Sequence, residues 1–282
     1  MATTLYPPNW YEKGGVEVTV SLTSSQVARR EDALVRPAQS REEFEQAFRL
    51  VYQSYLDRGY IEESPQQIRL SVFNAFPTSV TLVSVVRGTV VATVSLIADT
   101  PVGLPMDDVY HDEVQQLRNA GRRLIEAIML ADRRRELHRA LTMLLQLMKR
   151  VYDYATLVAH ANDLCITINP RHETYYGNFL LFEPLGGLKA YPSVRNNPAV
   201  AKRMDLDHVR ELYDGHAELI KLFLTDRTPL SVLEGGYRMT ADDLHYFFVE
   251  RTTAFRDASP EVRECLRGYY PDCPWEEWLS GT

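Results

Sequence analysis

Cysteine is scarce: Cys165, Cys265 and Cys273 are the only three in 282 residues. An odd count leaves one unpaired under any pairing, so no disulfide framework is expected. None stands in a CxxC pair, and no His or Cys cluster has zinc-site spacing, so no metal is expected. "HDE" at His111–Glu113 reads as a solvated turn. Long apolar runs are missing too. No stretch approaches the roughly 20 residues that span a bilayer. The opening "MATTLYPPNWYEKGG" lacks the basic-then-apolar pattern of a secretory signal. The expectation is a cytoplasmic chain with no transmembrane segment. Excess positive charge is also absent. The formal net charge of −7 weighs against broad nucleic-acid binding and leaves room for a local basic patch. With 45% hydrophobic residues the chain has ample core for one large domain or two.

The hydrophobic pattern alternates between two periods. Phe44, Phe48, Val51 and Tyr55 recur at helical spacing, which predicts an amphipathic helix over residues 41–57. "DALVRPA" before it reads as a short strand, and "VEVTVSL" (Val16–Leu22) as an accessory one. "SVTLVSVVRGTVVATVSLIAD" holds two β-branched runs about Arg87-Gly88, a hairpin signal. A short helix ending at Gly121 follows, then the strand "RRLIEAIML". Leu137, Leu141, Leu144, Met148, Val151 and Ala155 predict a helix of about twenty residues. "DLCITIN" is a buried-type strand, and "PRHETYYGNFLLF" opens on Pro170 and reads as a helix. Two further short strand candidates precede Asp207, and the pattern after it is helical. The fold class is therefore α/β (α+β), with a mixed central sheet flanked by helices and a C-terminal helical extension. The expected divisions are an N-terminal extension (1–30), a catalytic-type domain (31–207) and helices packed on it (208–282).

A strand running into a helix start commonly binds phosphate through a glycine-rich turn. Here that junction reads "ADRRREL", with arginines and no glycine.

The element order resembles the GNAT superfamily of N-acyltransferases. Four segments in order, "YLDRGYI", "SLIADTPVGLPMDDVY", "LIEAIMLA" and "INPRHETYY", look like its N-acyl amino acid synthase branch, which is related to the acyl-homoserine-lactone synthases. The resemblance runs from about residue 44 to 207. It implies transfer of a long-chain fatty acyl group from the 4'-phosphopantetheine arm of acyl carrier protein to the α-amine of an amino acid, with an aromatic acceptor such as tyrosine plausible by analogy. No bound cofactor is implied. CoA-using relatives cradle a pyrophosphate at the glycine-rich turn. A carrier protein brings an acidic surface instead, which Arg133, Arg134, Arg135 and Arg139 would suit. On charge pattern alone the same arginines read as a solvated helix face paired with Asp132 and Glu136.

Glu126 lies alone in an apolar strand, where a carboxylate has either a raised pKa or a partner. It is the candidate general base, matching a glutamate of the lactone synthases. The plainer reading is a buried ion pair with Arg122 or Arg171. Tyr176 matches the family's helix tyrosine, which reaches the thioester; Tyr175 lies about 100° away round a helix, so one of the two faces the site. Arg171 and His172, at a helix start, are candidates for the acceptor carboxylate or for plain capping. Asp99 is a candidate for the acceptor ammonium or a turn aspartate. Leu124, Ile128, Leu141, Leu145, Ile166 and Phe179 are candidates for an acyl tunnel, or plain core. The alternatives to an amino acid acyltransferase are a homoserine-lactone-type autoinducer synthase and a non-catalytic carrier-binding module.

Overall fold

The computed structural model describes residues 34–133 and 137–280, without the side chains of 34, 137–143, 179 and 218. The strand expected at Val16–Leu22 lies outside these residues. Seven strands form one mixed sheet: β1 (Leu34–Pro37), β2 (Val80–Val86), β3 (Thr89–Ala98), β4 (Leu124–Asp132), β5 (Asp163–Ile168), β6 (Glu183–Tyr191) and β7 (Asn197–Asp205). Their order is β1-β2-β3-β4-β5-β7-β6. The β4–β5 pair is parallel and every other pair is antiparallel.

Local chemistry accounts for the edges of these elements. Arg87 and Gly88 turn the β2–β3 hairpin with φ of 51° and 76°. Both are left-handed, which matches the twist of the flanking strands. Helix α1 (Arg41–Asp57) is capped by Ser40, whose hydroxyl accepts from the Glu43 N–H at 3.3 Å. Glu42 and Glu43 in its first turn suit the positive end of the helix dipole. Helix α2 (Asp107–Asn119) stops before Gly121, which takes φ of 73°. Helix α3 (Leu137–Leu157) is the crossover that lets β4 and β5 run parallel.

The helices cover both faces. Helix α3 packs against Leu82, Val94 and Ile125 on one face. Helix α1 packs on the other against Val83, Val90 and Met129, and α2 packs beside it over Ile97 and Leu124. The C-terminal chain continues the α1 face: Phe247 meets Phe48 edge-on at 5.4 Å, and Phe248, Phe255, Trp275 and Trp278 extend the same cluster. Polar contacts fix this docking. Glu45 on α1 accepts from Tyr246 Oη and from Arg251 Nη1, each at 2.9 Å. Asp243, fully buried, accepts from Arg41 Nε, from Tyr237 Oη at 2.7 Å and from Thr240 Oγ1 at 2.8 Å.

Two expectations need correction. The segment opening at Pro170 is helical but not a regular α-helix: a 3₁₀ turn (Pro170–His172) leads into a π turn (Tyr175–Phe179). The helical pattern after Asp207 breaks into short pieces, interrupted at Gly215, Pro229 and Gly235.

Asp243→Ala is expected to lower stability by about 3–5 kcal/mol, because it leaves donors and the Arg41 charge without their acceptor. Chemical denaturation checks this; a loss below about 1 kcal/mol would mean that the C-terminal helices are held by apolar packing alone.

Candidate active site

The β4–β5 ladder pairs Leu124 with Asp163, Ile125 with Leu164, Glu126 with Cys165 and Ala127 with Ile166, and then stops. Ile128 to Asp132 run on without a β5 partner. A bulge marks the parting. Met129 has φ of 55°, and the β3 register slips between Thr93 and Ser95 opposite it. The extra residue breaks the alternation of faces: Ile128 and Met129 both pack toward α1, and Leu130 turns back toward α3. Backbone groups that β4 no longer shares with β5 open onto the gap.

A cavity of about 430 Å³ occupies this gap and reaches both faces of the sheet. On the α3 side its wall is apolar. Leu144, Leu147, Met148 and Val151 present one helix face at i, i+3, i+4 and i+7, opposite Ile166 and Phe182. On the α1 side it is polar and aromatic, lined by Tyr55, Arg58, Tyr60, Arg69, Asp108, Glu126 and Tyr191.

Glu126 is 1% exposed. Its Oε2 accepts from the Met106 N–H at 2.9 Å, and among the described residues it has no cationic partner. Burial pushes its carboxyl up to about 8; the Met106 hydrogen bond opposes this, and Asp107 and Asp108 add to it. The ion-pair reading of Glu126 does not hold here. Arg122 is bonded to Asp163 and Asp205, and Arg171 to Tyr60 Oη at 3.0 Å and to His172.

Tyr176 lines the cavity, stacked edge-on against Phe182 at 5.8 Å, while Tyr175 points into the core. Burial raises the Tyr176 phenol above its ordinary value, so it stays a donor at neutral pH. His172 also lines the cavity, but burial, with Arg171 and Arg58 nearby, lowers it to about 4. It is therefore neutral at pH 7. Arg171 lies outside the wall, exposed over the Tyr60 ring. Asp99 is outside as well, accepting from Arg118 at 2.7 and 2.8 Å.

Of the apolar candidates, Ile128 and Ile166 line the cavity. Leu124 does not: it shares a face with Glu126 and Ile128 but lies in the part of β4 still paired to β5, packed with Leu104 and Tyr110. Leu145 does not, because it sits about 100° round α3 from the lining stripe and is plain core. The side chains of Leu141 and Phe179 lie outside the described residues. So do Arg134 and Arg135 and the Arg139 side chain; Arg133 is exposed. Sequence reasoning passed over Tyr55, Arg58, Arg69, Asp108 and Tyr191. The signal was partly present: Tyr55 follows an apolar helical stripe, and Arg58 and Asp108 stand inside two of the family-like segments.

The FeeM family model, described as N-acyl amino acid synthase FeeM, matches residues 46–205. The chain belongs to this family. The solved structure of FeeM, an N-acyl amino acid synthase from uncultured soil microbes, is 30% identical, with a TM-score of 0.54, over 64% of this chain and 98% of that one. The acyl-homoserine-lactone synthase LasI is 14% identical, with a TM-score of 0.50, over 70% of this chain and 96% of that one, a likeness of fold. No curated protein sequence matches the chain. The mixed sheet flanked by helices is the architecture expected, and the chain is an N-acyltransferase of the FeeM family.

The Glu126 environment makes a signed prediction. A carboxyl raised in the fold favours the native state most below its unfolded pKa, where both states are protonated. Stability is then lost as pH rises from about 4.5 toward 8, by at most about 1.4 kcal/mol per unit. Glu126→Gln should therefore gain melting temperature relative to the parent across that window and level off above it. A variant that loses stability with rising pH would restore the ion-pair reading.

Proposed function

We propose that this FeeM-family acyltransferase moves a long-chain fatty acyl group from acyl carrier protein to the α-amine of an amino acid. The observation that carries the reading is the cavity through the β4–β5 gap, apolar on the α3 side and polar around Glu126 on the other. Such a channel separates an acyl chain from a polar acceptor and brings their reacting ends together at the parted strands.

The chemistry follows from this placement. The acceptor nitrogen attacks the thioester carbonyl; the C–N bond forms and the C–S bond breaks. Glu126, as carboxylate, takes the proton that the nitrogen gives up. Its raised pKa suits that task, since it lies close to that of an amine. Backbone N–H groups freed along β4 are placed to meet the oxyanion. The Tyr176 hydroxyl is the donor for the departing sulfur. Tyr55, Tyr60, Phe73 and Tyr191 give the acceptor side an aromatic wall, which favours an aromatic acceptor. The basic "ADRRREL" junction, with no glycine to admit a pyrophosphate, favours docking of an acidic carrier over CoA.

The test is incubation of the purified chain with acyl carrier protein loaded with a fatty acyl group and a mixture of amino acids, read by mass spectrometry. N-acyl amino acids are the expected product. A product formed only with S-adenosylmethionine would point to a lactone synthase, and no product at all to a carrier-binding module. With the preferred acceptor, Glu126→Gln should lower kcat by about 10²–10⁴ and leave the carrier's KM in place. The parent's kcat/KM should rise with pH to a limb near 8. For one acyl chain, kcat/KM should be far higher with carrier protein than with CoA, and equal values would defeat the carrier assignment.

A further inference from the structure

Several part-buried arginines elsewhere in the protein have carboxylate partners: Arg36 has Glu43, Arg118 has Asp99 and Asp107, Arg122 has Asp163 and Asp205, and Arg251 has Glu45. Two in the cavity wall do not. Arg58 bonds only within its own helix turn, its Nη1 donating to the Ser54 carbonyl at 2.7 Å and to the Ser54 hydroxyl. Arg69 donates one bond, from Nη2 to the Ser193 carbonyl at 2.8 Å. Among the described residues neither has an acidic side chain within ion-pair reach, and both line the cavity. A guanidinium carries five N–H donors in a planar fork, so most of these face the cavity or solvent without a protein acceptor.

The two cations share a neighbour. Arg58, Arg69 and Glu126 all act electrostatically on the Tyr55 hydroxyl. Glu126 and Asp108 both act on Tyr191, as Tyr55 does. The polar end of the cavity thus gathers two guanidinium cations, Arg58 and Arg69, and two carboxyl groups, Asp108 and Glu126. This is the charge pattern of a zwitterion read from outside: a carboxylate toward the arginines, an ammonium toward the acids.

We propose that Arg58 and Arg69 form the subsite for the acceptor's α-carboxylate, with Asp108 beside Glu126 receiving its ammonium, so that the site selects free α-amino acids over amines, amides and peptides with an amidated first residue. The assignment rests on the acyl-transfer reading above. It places the carboxylate on these two guanidinium groups rather than on Arg171, which is outside the wall, or His172, which is neutral. A bidentate guanidinium–carboxylate contact is directional, so lysine should replace it poorly.

The experiment compares L-tyrosine with L-tyrosinamide, and L-leucine with L-leucinamide, as acceptors with one acyl-carrier donor. The full-length parent, Arg69→Met, Arg69→Lys and Arg58→Met are each tested, with melting temperature recorded for all. The parent should prefer each acid over its amide through KM. Arg69→Met should raise KM for the acids by roughly 10- to 100-fold, as expected for loss of a charge-assisted bond. The acid-to-amide preference should collapse, with Arg69→Lys in between. Equal use of acid and amide by the parent overturns the proposal while leaving the acyl-transfer reading standing. So does an Arg69→Met or Arg69→Lys protein that melts normally yet slows both acceptors alike. A rise in the carrier's KM with the acids unaffected would reassign these arginines to the donor's phosphate. Failure of the parent to acylate any acceptor sinks the acyl-transfer reading and this proposal together.

Discussion

The structure turns on a ladder that ends early. Two parallel strands at the centre of a sheet ordinarily pair along their length, because each buried N–H and C=O needs a partner. Here β4 and β5 share four residue pairs and separate. Met129, a β-branched-free side chain in a left-handed conformation, allows the bulge that turns β4 away; a bulge of this kind costs of order 1–3 kcal/mol unless the surroundings hold it. Helix α3 supplies one wall of the opening, and α1 with the loop before α2 supplies the other. The surrounding elements therefore position a hole in the sheet rather than a groove on its surface.

Charge within that hole is distributed unevenly. Around it, buried carboxylates are neutralised locally: Asp163 by Arg122 and Arg203, Asp153 by Lys149 at 2.6 Å, and Asp243 by Arg41 with hydroxyl donors. Among the described residues Glu126 receives one backbone N–H and no cation. A carboxyl left in this state is poised near the pH at which it can exchange a proton, which separates a group used for chemistry from groups used to hold the fold. The arginines at Arg58 and Arg69 show the complementary imbalance. Acid without base and base without acid, in one cavity, imply a charged guest.

Much of this was legible in the residues. Helical period located α1 and α3, two β-branched runs about Arg87-Gly88 located the β2–β3 hairpin, and short apolar runs located β4 and β5. Glu126 stood out as a single charge in an apolar strand. What was hidden depended on three-dimensional register. The bulge at Met129 leaves no compositional mark, so the split of the sheet could not be read. Leu124 and Leu145 looked like tunnel residues by hydrophobicity, yet a place in the still-paired part of β4 and a 100° helical step put them elsewhere. Tyr55 served only to mark the period of an amphipathic helix, and nothing in that spacing shows that it lines the cavity with Tyr191. Asp99 was the acid singled out for the acceptor, and only the reach of Arg118 shows that it is engaged elsewhere while Asp108 lines the cavity.

Glu126 has no cationic partner among the described residues, and burial pushes its carboxyl up to about 8. Difference infrared titration of the carboxyl stretch, parent minus Glu126→Gln, measures this directly in the ligand-free protein. The account predicts one protonated carboxyl band that persists through neutral pH and fades around pH 8. A band already lost by about pH 5, the range of an ordinary or ion-paired glutamate, would contradict it.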